Sequence, residues 1–249
     1  MPQTNLPTRR TLLTHGLAIL GLVCAHFPSP CSAQEAAAAP DPTEILRAVR
    51  LSTALQEGAL EGEIRNDSVK LPFHMTLEGK KIAFAFTNPD QIITLHLDDD
   101  TFRFTEKLGT ADETPVPPAR QVEPLRGTDI TYEDLALRFL FWKRAEILKE
   151  EKFKGRMAWK MRIDNPGSPG PYAVVYAWID QQSAALLRVQ GYNQQGRCVK
   201  QFEIISGMKV GDAWMLKEMR VETLDGEKVT GRTYLRLDKP KANGRRPDW

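Results

Sequence analysis

The stretch Val69-Lys-Leu-Pro-Phe-His-Met-Thr-Leu-Glu78 alternates apolar residues with polar or turn-forming ones over its whole length. A period of two residues is typical of a β-strand that buries one face. The turn Gly79-Lys80 follows, and the segment 82–86 repeats the alternation. Because a short turn separates the two segments, the pattern predicts an antiparallel hairpin.

The same alternation recurs along most of the chain. Further strands are predicted at 93–97, 102–104, 157–163, 172–179, 186–192, 198–205, 214–221 and 229–237. We therefore predict a mainly β (α+β) protein of about eleven antiparallel strands. A sheet this wide with one apolar face is expected to curl, so the sequence predicts a single half-open antiparallel β-barrel.

Two helices and a loop are predicted to close the half-barrel as a helical lid. Asp41 is placed as an N-cap, Pro42 follows at the first helical position, and Glu44 is suited to a capping box. A second, shorter helix is capped by Thr131-Tyr-Glu-Asp134. The loop 108–127 holds four prolines and few apolar residues, and a loop of this length favours a functional or mobile role.

The N-terminal segment predicts export from the cytoplasm. Residues 1–33 lack acidic residues, place Arg9 and Arg10 before the apolar run 16–25, and end in small residues that suit cleavage near Ala33. The apolar run is about half the ~20 residues of a membrane-spanning helix. The adjacent arginines fit a twin-arginine signal or an ordinary secretory one, and both remain open.

The predicted domain boundaries follow from this order. A spacer covers 34–40, one domain covers 41–238, and a flexible basic tail covers 239–249. Neither Cys24 nor Cys31 lies in a lipobox, which favours a free periplasmic protein over a lipid-anchored one.

The net charge and the cysteine content of the chain limit the kinds of partner that it can bind. The formal net charge of +2 falls to 0 when the signal peptide, whose charged residues are Arg9 and Arg10, is removed. A neutral domain lacks the electrostatic footprint of a nucleic-acid-binding protein. Cys198 is then the remaining cysteine and has no intramolecular disulfide partner. We expect a monomer that binds no nucleic acid.

Catalytic motifs are missing from the sequence. It contains no CxxC, no HExxH, no Gly-rich phosphate loop and no nucleophile elbow. His96 precedes Asp98-Asp-Asp100, but these aspartates suit a hairpin turn better than a metal site. We therefore expect no catalytic residues, no metal and no cofactor, and predict that the protein is not an enzyme.

Aromatic and methionine side chains dominate the predicted inner face. They either fill a core or line an apolar cavity, and as a set they suit a cavity for a flexible acyl chain. At about 0.8 kcal/mol per buried methylene, sheltering one chain contributes on the order of 10 kcal/mol. The candidate lining residues are Phe73, Met75, Phe84, Phe86, Phe102, Phe104, Met157, Trp159, Met161 and Trp178.

The order of elements resembles the outer-membrane lipoprotein-sorting proteins, the LolA-like family, and within it a less characterised branch. Three stretches carry the resemblance: Gly127-Thr-Asp-Ile-Thr-Tyr-Glu-Asp-Leu135, Glu150 to Trp159, and Tyr176-Ala-Trp-Ile-Asp180. The resemblance covers about 41–238. It implies an eleven-stranded half-open barrel closed by helices, with a cavity for lipoprotein acyl chains and no cofactor.

The resemblance also leaves alternatives. In the carriers of the family a strand arginine controls the lid, and no single arginine here matches it. The same fold serves periplasmic sensors that bind a regulatory protein or a lipid signal, usually with a second domain for which this chain has no room. A carrier of lipoprotein acyl chains, with a partner complex in the inner or outer membrane, is the preferred hypothesis. A lipid- or polymer-processing enzyme is disfavoured.

Overall fold

The computed structural model describes residues 40–54, 58–99, 101–210 and 213–240. The predicted signal peptide, 1–33, lies outside the described residues. So do 34–39 and 241–249, which make up nearly all of the predicted spacer and tail.

The described residues form one antiparallel sheet of thirteen strands. In spatial order the strands run β6-β5-β4-β3-β2-β1-β13-β12-β11-β10-β9-β8-β7. Their bounds are β1 Gly58–Arg65, β2 Lys70–Glu78, β3 Lys81–Phe86, β4 Gln91–Leu97, β5 Phe102–Leu108, β6 Thr114–Pro115, β7 Arg144–Phe153, β8 Arg156–Asp164, β9 Val174–Asp180, β10 Leu186–Tyr192, β11 Cys198–Val210, β12 Ala213–Asp225 and β13 Lys228–Leu237.

Two meanders make up this sheet. Strands β1 to β6 form the first and β7 to β13 the second, and the pairing of β1 with β13 joins them. The two edge strands, β6 and β7, are not paired with each other, so the sheet is not closed into a barrel. The predicted antiparallel, mainly β class is confirmed, whereas the predicted count of about eleven strands is too low.

Strand β1 was missed because its inward face carries a glycine. Leu60 and Ile64 are buried on either side of Gly62, so the apolar alternation is interrupted. A β-carbon on Gly62 would collide with the ring of Phe73 on the neighbouring strand. The position therefore requires glycine for a close approach, and the sequence signal of the strand is weakened in consequence.

The other two missed strands lie at the edges of the sheet. β6 has two residues within the proline-rich loop, too few for any periodic pattern. β7 is a ten-residue strand with several exposed charges, including the run Lys149-Glu-Glu-Lys152. Charged residues on an edge strand discourage pairing with other chains. They also interrupt the apolar alternation from which strands are predicted, so this strand was not recognised in the sequence.

The predicted helices begin where their capping residues place them. The helices are α1 Pro42–Ala54, α2 Pro118–Gln121 and α3 Tyr132–Ala136, followed by a 3₁₀ helix at Arg138–Phe141. Asp41 accepts a bond from the backbone N–H of Thr43 at 2.8 Å. Thr131 and Asp134 form a reciprocal capping box at the start of α3. Helix α2 was not predicted.

One continuous apolar cluster holds the described chain together. It contains residues of α1, of both meanders and of the segment around α3. Among the described side chains of α1, Ile45, Leu46 and Val49 are buried, whereas Ala48 is exposed. Among the described residues, no helix is long and apolar enough to cross a membrane.

Candidate functional site

The strand registers define an inner, apolar face of the sheet. Phe73 lies opposite Phe86, Met75 opposite Phe84, and all four side chains are buried. The ring of Phe73 lies 5.6 Å from that of Phe84 and 5.8 Å from that of Phe86. Aromatic pairs at these separations add to the stability that apolar burial gives the face.

Most of the candidate lining residues lie on this inner face. Phe102 and Trp159 are half-buried and pack against the apolar cluster, and Met157 is 47% exposed. The structure places Trp178 on the opposite, outer face. The candidates buried in the apolar cluster are Phe73, Met75, Phe84, Phe86, Phe104 and Met161.

Trp178 is buried on the outer face by charged and aromatic neighbours. Its strand alternates Val175, Ala177 and Ile179 inward, which turns Trp178 outward. Lys160 Nζ lies 4.8 Å from its ring. Its Nε1 donates to Glu151 at 2.5 Å. The neighbouring residues on both faces of β9 are apolar or aromatic, so alternation alone could not assign the direction of this side chain.

A segment of the chain itself packs against the inner face; we call residues 128–142 the plug. Its side chains belong to the same apolar cluster as the candidate lining residues. The ring of Tyr132 lies 6.2 Å from Phe104, and the ring of Phe141 lies 5.0 Å from Phe102. The buried apolar residues of the plug are Ile130, Tyr132, Ala136, Phe139, Leu140 and Trp142.

A polar cluster around Glu106 fastens one side of the plug to the first meander. Glu106 is 4% exposed and accepts bonds from Gln91 Nε2 at 2.6 Å, Tyr132 Oη at 2.9 Å and Arg120 Nη1 at 2.8 Å. Burial alone would raise the pKa of Glu106, but the bonds from these three donors hold that pKa below its usual range. Arg120 belongs to α2, so the cluster also holds that helix.

Asp129 anchors the plug to the second meander. Its carboxylate accepts bonds from Thr223 Oγ1 at 2.9 Å and from Thr233 Oγ1 at 2.8 Å. Lys200 Nζ donates to the carbonyl oxygen of Asp129 at 2.5 Å. A β-carbon on Gly231 would collide with the carboxylate of Asp129, so the strand has glycine where the plug approaches it.

Asp134 supports the same end of the plug. It accepts bonds from the backbone N–H of Thr131 and, at 2.9 Å, from Tyr172 Oη. Its Oδ2 lies 3.6 Å from Lys200 Nζ. Burial, together with the adjacent Asp134 carboxylate, raises the pKa of Tyr172 well above its usual value. The stretch Gly127 to Leu135, on which the family resemblance partly rests, thus supplies contacts to both meanders.

Sequence reasoning missed the polar residues of the inner face. Glu106 follows Phe102 and Phe104 in the inward alternation of β5, and Lys200 precedes Phe202 in that of β11. A charged residue at an inward strand position is the signal that could have found them. Asp129 lies in a loop, where nothing in the sequence marks it as a contact to distant strands.

Two concavities of the described surface are formed by loops that connect strands of the second meander and by the start of β7. One, of about 350 Å³, is formed by the loops 165–173 and 193–195, and the other, of about 680 Å³, by Lys143, Arg144 and 165–167. None of the candidate lining residues is among the residues that form them.

His96 and Asp99, one of the aspartates that follow it, have contacts of a structural kind. His96 Nε2 lies 3.0 Å from Thr105 Oγ1, and Asp99 pairs with Lys80 at 3.0 Å. Burial lowers the pKa of His96. Within the described part of the chain, no three His, Cys, Asp or Glu side chains are grouped so as to hold a metal ion.

Two antiparallel meanders in one sheet, with short helices packed against its apolar face, form a fold that is similar to that of solved proteins described as LolA-like. A putative outer membrane lipoprotein-sorting protein domain from Vibrio parahaemolyticus is 18% identical, with a TM-score of 0.64 over 80% of this chain and 92% of that one. A LolA superfamily protein from Nitrosomonas europaea is 11% identical, with a TM-score of 0.59 over 81% of this chain and 93% of that one.

A DUF1329 family protein from Desulfovibrio piger is 15% identical, with a TM-score of 0.62 over 80% of this chain and 92% of that one. At these identities the likeness establishes the fold, and it confirms the predicted resemblance. A family model described as "-like: Uncharacterized protein" matches residues 80–248, and the chain belongs to that family. No curated protein matches the sequence.

Proposed function

We propose that the protein is a periplasmic carrier that binds acyl chains of lipoproteins on the inner face of its sheet. In this proposal residues 1–33 are a signal peptide cleaved near Ala33, and the mature chain is a monomer without catalytic residues. It would receive or deliver its cargo at a partner complex in the inner or outer membrane.

The observation that carries the proposal is the composition of the inner face together with its cover. Phenylalanine and methionine side chains of both meanders share one apolar face. Short helical segments pack against that face, and polar contacts of Glu106 and Asp129 hold them in place. Apolar side chains that can rearrange suit a flexible acyl chain, and a cover held at a few points can be displaced without unfolding the sheet.

The similarity to a lipoprotein-sorting domain supports the same assignment. In the proposed binding step the sheet acts as a half-open barrel, with α1, α2, the plug and the loop 108–127 as its lid. An acyl chain replaces the plug side chains that lie against Phe102 and Phe104 and extends over the same apolar face. Each methylene moved from water contributes about 0.8 kcal/mol, part of which is spent in displacing the plug.

Native mass spectrometry of the protein isolated from a periplasm tests this proposal. We expect a fraction of the molecules to carry an adduct whose mass corresponds to an acylated peptide or lipid. The matched variants are Phe84→Asp, on the inner face, and Ile92→Asp, on the outer face of the next strand, where Ile92 is 38% exposed. Both should be checked for folding by circular dichroism.

The carrier assignment predicts that Phe84→Asp loses the adduct while Ile92→Asp keeps it. A wild-type protein that carries no adduct and binds no fluorescent acyl probe would contradict the assignment. So would an adduct that both variants retain equally.

A further inference from the structure

We propose that the outer face of the sheet is a docking surface for an anionic membrane, whose lipid phosphate groups bind the exposed cations of that face. This surface lies opposite the face to which acyl binding is assigned. Docking is therefore independent of the proposed function, and each can be tested without the other.

One row of outward side chains on this face is rich in cations. The registers of β2, β1, β13, β12, β11, β10, β9 and β8 align one outward residue of each strand in a single row. Because neighbouring strands lie about 4.8 Å apart, the row extends over on the order of 30 Å. We call its five cations the cationic row: Lys70, Arg65, Arg220, Arg188 and Lys160.

Two aromatic residues of the same row hold cations against the sheet. The guanidinium of Arg65 lies 5.1 Å from the ring centroid of Tyr234, and Lys160 Nζ lies 4.8 Å from that of Trp178. Contacts of this kind fix the stem of a long side chain while its charged end stays in water. The positive charges are therefore presented at defined positions along the row.

The acids of this face are covered by the cations that pair with them. In three such pairs the side-chain exposures of cation and acid are 47% and 11%, 48% and 7%, and 73% and 22%: Lys154–Glu203, Arg232–Glu222 and Lys70–Glu63. In the ion pair of Lys80 with Asp99, outside this face, the acid is instead the more exposed partner.

The charge that the outer face presents to solvent is therefore positive. Formal net charge does not reveal this, because it counts covered and exposed groups alike. Glu203 illustrates the imbalance, since Lys154, Arg188 and Arg220 all lie within 3.6 Å of its carboxylate. One acid cannot neutralise three cations, so this part of the face attracts further anionic groups.

A lipid surface fits this array better than a protein partner does. Protein interfaces are centred on aromatic and apolar side chains that insert into the partner. Here Trp178 is already buried within its own chain, with Lys160 and Arg188 against its ring. What remains accessible is the layer of cations.

The cations also extend beyond a single line, which favours a surface over one extended polymer chain. Arg232 is outward on the row next to the cationic row, and Lys154 reaches Glu203 from the turn between β7 and β8. The phosphate groups of a lipid leaflet form a two-dimensional array, and each Lys or Arg close to anionic lipid adds to the affinity.

The triple variant Lys70→Gln, Lys154→Gln and Arg232→Gln tests the docking surface; we call it the outer triple variant. It removes exposed cations without leaving their acids unpaired. Each of the three acids keeps another cation within 3.6 Å: Arg65 beside Glu63, Arg188 beside Glu203 and Arg220 beside Glu222.

The matched control is the triple variant Arg47→Gln, Lys80→Gln and Arg197→Gln. It removes the same charge from exposed ion pairs elsewhere on the described chain. Circular dichroism checks the folding of both. If the outer triple variant does not fold, the salt dependence of the wild type, which needs no variant, remains as a test.

The measurement is co-sedimentation of the mature protein with vesicles of phosphatidylcholine alone or of phosphatidylcholine and phosphatidylglycerol in equal parts. We expect the wild type and the control to bind the anionic vesicles and not the neutral ones. Each cation near an anionic bilayer strengthens binding about fivefold, so the outer triple variant should bind roughly a hundredfold more weakly. Binding of the wild type should be lost at high salt, since salt screens the attraction.

Several results would overturn the docking surface. An equal loss in the two triple variants would show that net charge alone accounts for binding, and binding that salt does not weaken would show that it is not electrostatic. A wild type that binds dextran sulfate but not the anionic vesicles would assign the face to a soluble polyanion. A wild type that binds an acyl probe but neither vesicle would keep the carrier assignment and lose the docking surface.

Discussion

Glu106 is a carboxylate at an inward position of an apolar sheet face. A buried charge without partners is very costly, and here Gln91, Arg120 and Tyr132 all donate to it. The three donors come from a strand, from α2 and from α3. One residue therefore ties three elements together, which accounts for the presence of an acid in the alternation after Phe104.

Glu106→Gln is expected to lower the free energy of unfolding by about 1–3 kcal/mol at pH 7. Because the bonds lower the folded-state pKa of Glu106, its contribution is present above the unfolded-state pKa and is lost as the pH falls through the folded-state value. Urea denaturation of wild type and variant at pH 7 and at pH 3 measures this. Glu123→Gln, which changes an exposed acid that follows α2, is the control. An equal difference at both pH values would contradict the prediction.

Gly62 is a residue whose identity is dictated by a side chain of the neighbouring strand. Gly62→Ala is expected to destabilise the protein by about 1–3 kcal/mol because the new β-carbon meets the Phe73 ring. Phe73→Leu in the same chain should recover part of that loss, since it removes the ring atoms involved. Thermal unfolding of the two single variants and the double variant measures the coupling, and strictly additive losses would show that the contact is unimportant.

At the scale of elements, the β7–β8 hairpin is held against the outer face of the sheet. Arg156 donates twice to Asp180, at 2.8 and 2.7 Å, and Lys154 Nζ lies 2.7 Å from Glu203. The ring of Phe153 lies 6.1 Å from that of Trp178. The turn of the hairpin thus covers Trp178, which explains the burial of an aromatic side chain on the outer face.

Asp180→Asn is expected to lower the free energy of unfolding at neutral pH by about 1–3 kcal/mol. Bonds from Arg156, against the opposing effect of burial, lower the pKa of Asp180 to about 2. The stabilisation is therefore complete above the unfolded-state pKa and disappears only as the pH falls through about 2. Acid titration of stability measures it. Asp225→Asn, which alters an exposed ion pair with Arg197, should change stability little.

Much of the fold follows from the sequence, element by element. The alternation of Val69 to Phe86 predicted β2, β3 and the hairpin between them, and capping residues predicted the starts of α1 and α3. The strands that were missed have particular causes, namely the inward glycine of β1, the two residues of β6 and the charges of β7. The candidate lining residues were chosen by the same alternation, which is a property of a single strand.

The polar part of the site could not be predicted because it is made by distant segments. Asp129 meets Thr223 and Thr233 about a hundred residues further along the chain. Only the fold brings Tyr132 to Glu106. Alternation within a strand carries no information on such contacts, so the helix of the plug was predicted but the polar contacts that hold it were not.

At the scale of the whole sheet, both meanders share one apolar cluster and are joined by the β1–β13 pairing. Elements that share a core unfold together, so we expect one cooperative transition. Hydrogen exchange at increasing urea concentration should converge on a common opening free energy for the amides of β3 and β10. Exchange of β2 to β5 at a lower urea concentration than β8 to β12 would show that the meanders are separate units.

The proposed function requires that an acyl chain binds on the inner face of the sheet. Photo-crosslinking with a fatty-acyl probe that carries a diazirine, followed by peptide mapping, tests it most directly. We expect labelling on inward positions such as Phe84, Phe104 and Met161, and little labelling of outward Trp178. Labelling confined to the outer face, or no labelling above that of a denatured control, would contradict the proposed function.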